Sequence, residues 1–435
     1  MSASLHTPVP DIPGSIVDVG TQQALMSVVN PLLGLEYNFS RFPGSQPVSF
    51  VSRSLRLLEN RNFWVCEKSD GVRVLMLIAY NGAAGRQDIF LIDRKNTYRQ
   101  IYGLEFPHWN PQAGPNGLCD TTIIDGELVY DIDGKTGEKH LRLYAFDCLV
   151  YDRANLMKSS LQSRYGRLKT WLLEPFHKRL REMDQSANAP FEIVCKKMEL
   201  ADGIEAVVRE HIPRLEHGHD GLIFTCAETG YVVGTDEMIL KWKPPSENSV
   251  DFKLELRFPP SSQDGRTPDY TRKPQFVLMT NMGKHYDFFD TMVITDQEWE
   301  EIKQSGVQWD ERIIECNWDV NYDSWRFMRF RDDKSDGNHW SVVQKIIESI
   351  KDGVELETLI ERCPTIRARR KERAMAEQHR AKQPPPAPAA SAGPQMGMVI
   401  GGPHGVMQGG YPPPNMQGGF GVPVPGYGGG GGLRR

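Results

Sequence analysis

Between the apolar runs "FWVC" and "VLMLIAY" the chain places Lys68-Ser69-Asp70-Gly71-Val72-Arg73, with a lysine, an acid and an arginine around one glycine. A lysine amine held at the floor of a sheet crevice, rather than on a loop tip, can act as a nucleophile. An ordinary lysine, with a pKa near 10.4, is neutral only about 0.04% of the time at pH 7, and bringing that pKa to about 7 takes roughly 4–5 kcal/mol of differential destabilisation of the ammonium. Partial desolvation and nearby cations could supply it. "LKWKPP" offers Lys241 and Lys243 at i and i+2 of a strand, on one face and suited to a phosphate. Taken singly, each stretch has a plainer reading, a self-neutralising hairpin loop and an amphipathic strand with its polar side in water.

The elements around these residues read as α+β. From Phe63 to Tyr151, "FWVC", "RVLMLIAY", "DIFLID", "TIIDGELVYD" and "HLRLYAFDCLVYD" alternate with Gly/Asn/Asp turns and predict an antiparallel meander. Helical spacing follows in "LQSRYGRLKTWLLEPFHKRLREM" and "GIEAVVREHIPRLE", with strands "FEIVCKK", "GLIFT" and "MILKWK" completing a domain over residues 1–244. After the breaker "KPPSENS", five short strands over 245–336 suggest a small OB-type barrel. Residues 337–365 carry helices whose apolar stripe (Val342, Val343, Ile346, Ile347, Ile350) is expected to pack back on the body. Residues 366–435 read as a tail, first basic ("RARRKERAMAEQHRAK", a surface helix, nuclear-import signal or RNA contact) and then Pro/Gly-rich and disordered from about Gln383.

A net charge of −5 with both signs mixed excludes a global drive toward nucleic acid or membrane, so any polyanion site must be local. No leader pattern opens the chain, and its longest apolar run, Val74 to Tyr80, is far too short to span a bilayer. Seven scattered cysteines without a CxxC pair argue against a disulfide framework or zinc ribbon and fit a reducing compartment, cytosol or nucleus. "DIDGKTGEKH" starts like a calcium loop but carries Lys135 and lacks the bidentate Glu at its twelfth place, so a hairpin turn is expected. GxxxxGK[ST] is absent, which excludes a P-loop.

Taken in order, KSDGVR (68–73), FLIDRKN (90–96), IIDGELV (123–129), LYAFDCL (143–149), DGLIFT (220–225), LKWKPP (240–245) and WRFMRFRDDK (325–334) resemble the motif series of covalent nucleotidyltransferases, the mRNA capping guanylyltransferases and ATP-dependent polynucleotide ligases. The last element is similar to the capping-enzyme form. The resemblance implies a nucleotidyltransferase domain followed by an OB-fold lid. It implies that Lys68 attacks the α-phosphate of GTP, releases pyrophosphate, and passes GMP to the 5′-diphosphate end of RNA.

The remaining roles also follow from the resemblance. Asp70 would orient the loop or lysine, and Gly71 would let the next strand start close to the nucleotide. Arg73 and Arg94 would contact the sugar, and Glu127 would accept from a ribose hydroxyl or support metal. Phe146 would stack on the purine, and Lys196 would read guanine at O6, with Lys197 as the one-position alternative; strand alternation allows only one of the two to face the base. Asp220, with Glu127, would face Mg²⁺ or Mn²⁺. Lys241 and Lys243 would hold phosphate. Arg331 and Lys334, accompanied by Arg329 and Asp333, would grip the β- and γ-phosphates on lid closure.

The resemblance is to the stand-alone fungal type. It implies a separate RNA triphosphatase subunit, docking on the phosphorylated C-terminal repeats of RNA polymerase II, a nuclear location and no membrane. An ATP-dependent ligase and a non-catalytic RNA-binding scaffold are the alternative readings.

Overall fold

A computed structural model describes residues 8–183, 189–262 and 264–382, and the tail expected to be disordered from Gln383 lies outside the described residues. An eight-stranded sheet forms around the strand Val72–Asn81, whose run Val74 to Ile78 is buried on both sides. Alternation of side chains explains this. Val74, Met76 and Ile78 pack toward Leu168, Leu172 and Phe176, while Leu75 and Leu77 pack toward Val29 of the helix Val19–Leu32 and Leu33 just past its end. A strand covered on both faces is continuously apolar, which is why its sequence lacks a polar alternation.

The expected single meander is corrected. "FWVC" does not pair with "RVLMLIAY"; it belongs to the strand Phe63–Ser69 in a second, five-stranded sheet, between Glu199–Leu200 and His219–Cys226. Both sheets are mixed, with one parallel pair each, Glu192–Cys195 beside Lys139–Tyr151 and Gly234–Trp242 beside Ser45–Ser49. The chain therefore crosses from one sheet to the other at Asp70-Gly71. A Cβ on Gly71 would lie 2.2 Å from the Leu128 carbonyl oxygen, so glycine is set there by close approach of the neighbouring strand.

The second sheet buries Phe63, Val65, Phe224 and Leu240 against Leu359, Cys363 and Ile366 of the helix Leu356–Lys382. The basic segment is helical, as it reads, but over residues 366–382 the helix docks on the body instead of standing in solvent. Arg367 and Arg370 both bind the buried Asp202 carboxylate (2.9 and 3.0 Å), and Arg373 donates to Asn62 Oδ1 at 2.8 Å. A carboxylate taken from water needs such partners, and they anchor a segment whose composition alone reads as solvated.

The strands Ser249–Arg257, Gln275–Asn281, Tyr286–Met292, Ile313–Asp319 and Ser324–Phe330 close into the expected barrel, in the order first, second, third, fifth, fourth. Phe252, Phe276 and Trp325 fill it, and the helix Trp340–Lys351 packs onto it through Val343. The sequence reading passed over the helix Asp296–Ser305, although Thr295 and Glu298 form a capping box at its start. All seven cysteines are free thiols, and no helix of the described residues is long and apolar enough to cross a membrane.

Gly221, next to Asp220, combines φ +141° with a Cβ position 2.0 Å from the Trp242 carbonyl oxygen. Backbone strain and overpacking together should make Gly221→Ala less stable by about 3 kcal/mol or more, read from urea unfolding of the two proteins.

Candidate functional site

The space between the two sheets is a cleft with a cavity of about 130 Å³, lined among others by Lys68, Arg73, Arg94, Glu127, Phe146 and Lys196. Lys68 sits at the end of its strand, one-quarter exposed, and its Nζ donates to Asp220 Oδ1 at 2.5 Å. Lys243 binds the other oxygen of that carboxylate, also at 2.5 Å. Lys241 is half-buried and has no side-chain partner among the described residues; burial lowers its pKa, and Lys243 and Lys68 lower it further. Burial pushes the Asp220 pKa up, but Lys68 and Lys243 outweigh it and hold it below the usual carboxylate value. Beside the nearby cations expected around Lys68 stands a carboxylate, Asp220 and not Asp70, lying between it and Lys243. Asp70 instead fixes the crossing through its backbone N–H to the Gly218 carbonyl at 2.9 Å.

The Arg73 guanidinium lies 5.3 Å from the centroid of the Phe146 ring. It is bidentate to Asp125 at 2.9 and 2.6 Å and donates to the Ser45 carbonyl at 2.6 Å. Burial works against its charge and Asp125 outweighs it, keeping Arg73 firmly cationic. All three guanidinium nitrogens are thus engaged by protein acceptors, so in this arrangement Arg73 props the aromatic wall rather than reaching for a sugar. The reason is its burial, since a guanidinium removed from water must be satisfied locally. Arg94 is exposed at the cleft with no side-chain partner among the described residues, and the Glu127 carboxylate likewise has none. Burial raises the Glu127 pKa. Both offer an unsaturated polar group to a ligand.

Alternation separates the adjacent lysines. Lys196 is buried at the cleft, with Nζ 2.9 Å from Glu67 Oε1 and 2.6 Å from Ser69 Oγ, whereas Lys197 points outward to His211 and Glu199. Burial opposes the Lys196 charge and Glu67 more than restores it.

The barrel cations are not among the residues lining the cleft. Arg331 binds Asp251 at 2.9 Å and Asp333 at 2.8 Å, Arg329 binds Glu315 at 2.6 Å, and Lys334 binds Asp251. In this arrangement these cations neutralise the carboxylates of their own domain, which satisfies their charge locally.

Several contributing residues escaped the sequence reading, namely Asp125, Glu67, Ser45 and Tyr231, whose hydroxyl donates to Asp125 at 2.5 Å. Asp125 carried a readable signal, an acid two residues before Glu127 on one strand face. The others gain their roles only from the pairing of distant strands.

The family model described as "mRNA capping enzyme, catalytic domain" matches residues 9–245, and "mRNA capping enzyme, C-terminal domain" matches 247–360. The chain belongs to the mRNA capping enzyme family. The mRNA-capping enzyme subunit alpha of Schizosaccharomyces pombe is 41% identical over 359 residues, covering 82% of this chain and 88% of that protein. The subunit alpha of Saccharomyces cerevisiae is 37% identical over 392 residues, covering 81% and 85%. The mRNA-capping enzyme of Danio rerio is 31% identical over 371 residues, covering 83% of this chain and 56% of that protein. In this capping-family chain the matched catalytic region holds the whole cleft, and the C-terminal region holds the parked barrel cations.

Burial works against the charge of Glu67, but Lys196 and the nearby His217 imidazole outweigh it and bring its pKa down to about 2. A carboxyl depressed on folding stabilises the native state above its unfolded pKa and loses that contribution as the pH falls through the folded one. From this group, wild-type stability should drop by roughly 3 kcal/mol between about pH 4.5 and pH 2. Glu67→Gln should remove that slope and cost about 3–5 kcal/mol at pH 7 by leaving Lys196 buried and unpaired; denaturant unfolding at a series of pH values checks both.

Proposed function

We propose that this chain is the guanylyltransferase of mRNA capping, forming GpppN-RNA from GTP and RNA 5′-diphosphate ends. One observation carries the reading: Lys68 stands at a lysine-rich mouth of the same cleft that holds an aromatic wall, Phe146, and an inward-facing donor, Lys196. The Lys68 Nζ attacks the α-phosphorus, an N–P bond forms as the bond to the β-phosphate oxygen breaks, and pyrophosphate leaves with the electron pair while Nζ loses a proton. An oxygen of the terminal phosphate of RNA then attacks the same phosphorus. The N–P bond breaks and the lysine nitrogen regains a proton. Asp220, held ionised by Lys68 and Lys243, anchors charge, and the proton that Nζ loses passes to solvent, from which the lysine nitrogen regains one in the second step.

No cluster of three or more His, Cys, Asp or Glu among the described residues forms a metal cage. A Mg²⁺ or Mn²⁺ ion delivered on the triphosphate needs only one or two protein carboxylates, and the donor set of Asp220 and the unpartnered Glu127 fits that requirement. When bound it would neutralise phosphate charge as pyrophosphate departs.

On this reading Arg331 and Lys334 exchange Asp251 for the β- and γ-phosphates when the barrel closes as a lid. The relatives' name, subunit alpha, supports a second subunit; its activity would be the RNA triphosphatase step that prepares the diphosphate end. Action on nascent transcripts places the protein in the nucleus, at the phosphorylated repeats of the polymerase tail.

Incubation with α-labelled GTP and Mg²⁺ should leave label on the protein through denaturing electrophoresis, and Lys68→Ala should abolish it. Label from ATP instead would establish the ligase reading, and no label with any divalent metal would favour the scaffold. Arg331→Ala and Lys334→Ala should each reduce lysine–GMP formation by at least about 100-fold yet spare GMP transfer to RNA from adduct already formed. Equal loss in both half-reactions would refute the lid assignment.

A further inference from the structure

Behind Lys196 runs a line of buried polar groups that the proposed reaction leaves unused. Glu67, Ser69, Lys196, His217 and Asp131 are each 8% exposed or less, and His217 comes from the segment just before the Asp220 strand. A lysine ammonium has three protons to place. Two of the Lys196 protons go to Glu67 Oε1 at 2.9 Å and Ser69 Oγ at 2.6 Å, which leaves one for the cleft that Lys196 lines.

Ser69 Oγ accepts from Lys196 and must place its own hydrogen. Its neighbours are His217 Nε2 at 3.0 Å and Glu67 Oε1 at 3.5 Å, so the shorter contact is the imidazole. For that bond Nε2 must be bare, and the ring proton is then assigned to Nδ1, which lies 2.6 Å from Asp131 Oδ1. Arg142 and the Tyr144 hydroxyl (2.8 Å) hold Asp131 in turn, and the Tyr144 ring lies 5.8 Å from Lys196 Nζ. Each group in the line fixes the next; Glu67, Ser69 and Lys196 reach the cleft wall, and His217 and Asp131 lie behind it. Burial opposes protonation of His217, but Asp131 and Glu67 outweigh it and raise its pKa; when the ring is charged, Nε2–H donates to the same Ser69 oxygen and the serine hydrogen turns to Glu67.

We propose that His217 is a positioning residue for nucleobase selection: held by Asp131, it orients the Ser69 hydroxyl as an acceptor for Lys196 and so directs the lysine's remaining N–H at the purine 6-position. This rests on the guanylyltransferase reading above. A free lysine could swing among acceptors and tolerate either a carbonyl or an amino group at that position, whereas a lysine fixed by two acceptors cannot, and a site built around one donor rejects the wrong partner more strongly than a pocket without one.

The pair His217→Gln and His217→Asn tests it on the full chain. The Gln amide reaches the place of Nε2 and can still accept from Ser69; the Asn amide reaches only the place of Nδ1. The readout is the ratio of kcat/KM for lysine–nucleotide formation from GTP to that from ATP, with ITP, which keeps the 6-oxo group, as a third substrate. His217→Asn should lower the GTP:ATP and ITP:ATP ratios about tenfold, the loss of one well-placed hydrogen bond, and His217→Gln should hold them within about twofold of wild type. In a Lys196→Met background His217→Asn should change neither ratio further.

A purely structural role would lower stability and all three rates in proportion, and unchanged ratios in His217→Asn overturn the proposal. If neither variant folds, Asp131→Asn, which removes the group that fixes the tautomer, is measured in the same way and must shift the ratios. Wild-type protein that labels equally from GTP and ATP would instead remove the guanylyltransferase reading itself, before any variant is compared.

Discussion

The crossing at Asp70-Gly71 is the constraint on which the rest of this structure depends. Lys68 ends a strand of one sheet and Arg73 belongs to a strand of the other, and only a residue without a Cβ lets the chain pass the Leu128 carbonyl between them. Because the two sheets are joined here by two residues, they cannot separate at this point, and the cleft between them has a fixed floor. The nucleophile and the aromatic prop keep their relative places because they sit on the two strands that meet at that crossing, and the inward lysine, just past the strand Glu192–Cys195, is tied to them through Glu67 and Ser69. Site groups on sheet strands are held more closely than groups on loops.

Charge is arranged in a second way that the fold makes possible. Asp220 is shared by Lys68 and Lys243, and Asp251 by Arg331 and Lys334. In each case cations suited to phosphate rest on a single carboxylate. Two unit charges about 4 Å apart interact by roughly 4 kcal/mol at an effective dielectric of 20. A triphosphate offers several negative charges where each carboxylate offers one, so the exchange of partners favours the ligand without any cation having been left bare in its absence. Leaving these groups buried and unpaired would cost the apo protein more than pairing them does.

How much of this was legible in the sequence follows the range of the interactions involved. Lys68, Arg94, Glu127, Phe146, Lys241 and Lys243 stand in short motifs whose residue types carry their chemistry locally, and the barrel could be read from five alternating strands and their breakers. The split of the strands into two sheets could not, because "FWVC" and "RVLMLIAY" are each compatible with pairing to the other, and only Gly71 against Leu128 decides between a hairpin and a crossing. The choice of Lys196 over Lys197 required knowing which face of the strand meets the cleft. That the basic helix through Lys382 docks was hidden because its arginines find a partner, Asp202, more than 160 residues away. Glu67, Ser69, His217 and Asp131 share no local pattern; only strand pairing makes them neighbours.

On the proposed mechanism the resting ion pairs also shape the return path. A conformational change follows a ligand only to the extent that the ligand binds one state better than the other. The β- and γ-phosphates would supply that difference for the barrel cations while they remain attached. Once the α-phosphorus is bonded to Lys68, those phosphates leave as pyrophosphate, and Arg331 and Lys334 lose the anion for which they gave up Asp251. The carboxylates of the barrel then become their best available partners again. Lys68, now a phosphoamide, no longer carries the ammonium that bound Asp220, so that carboxylate retains only Lys243 of its two partners. Both changes favour opening after the first half-reaction and not before it, which is the order that an RNA acceptor arriving from outside the cleft requires.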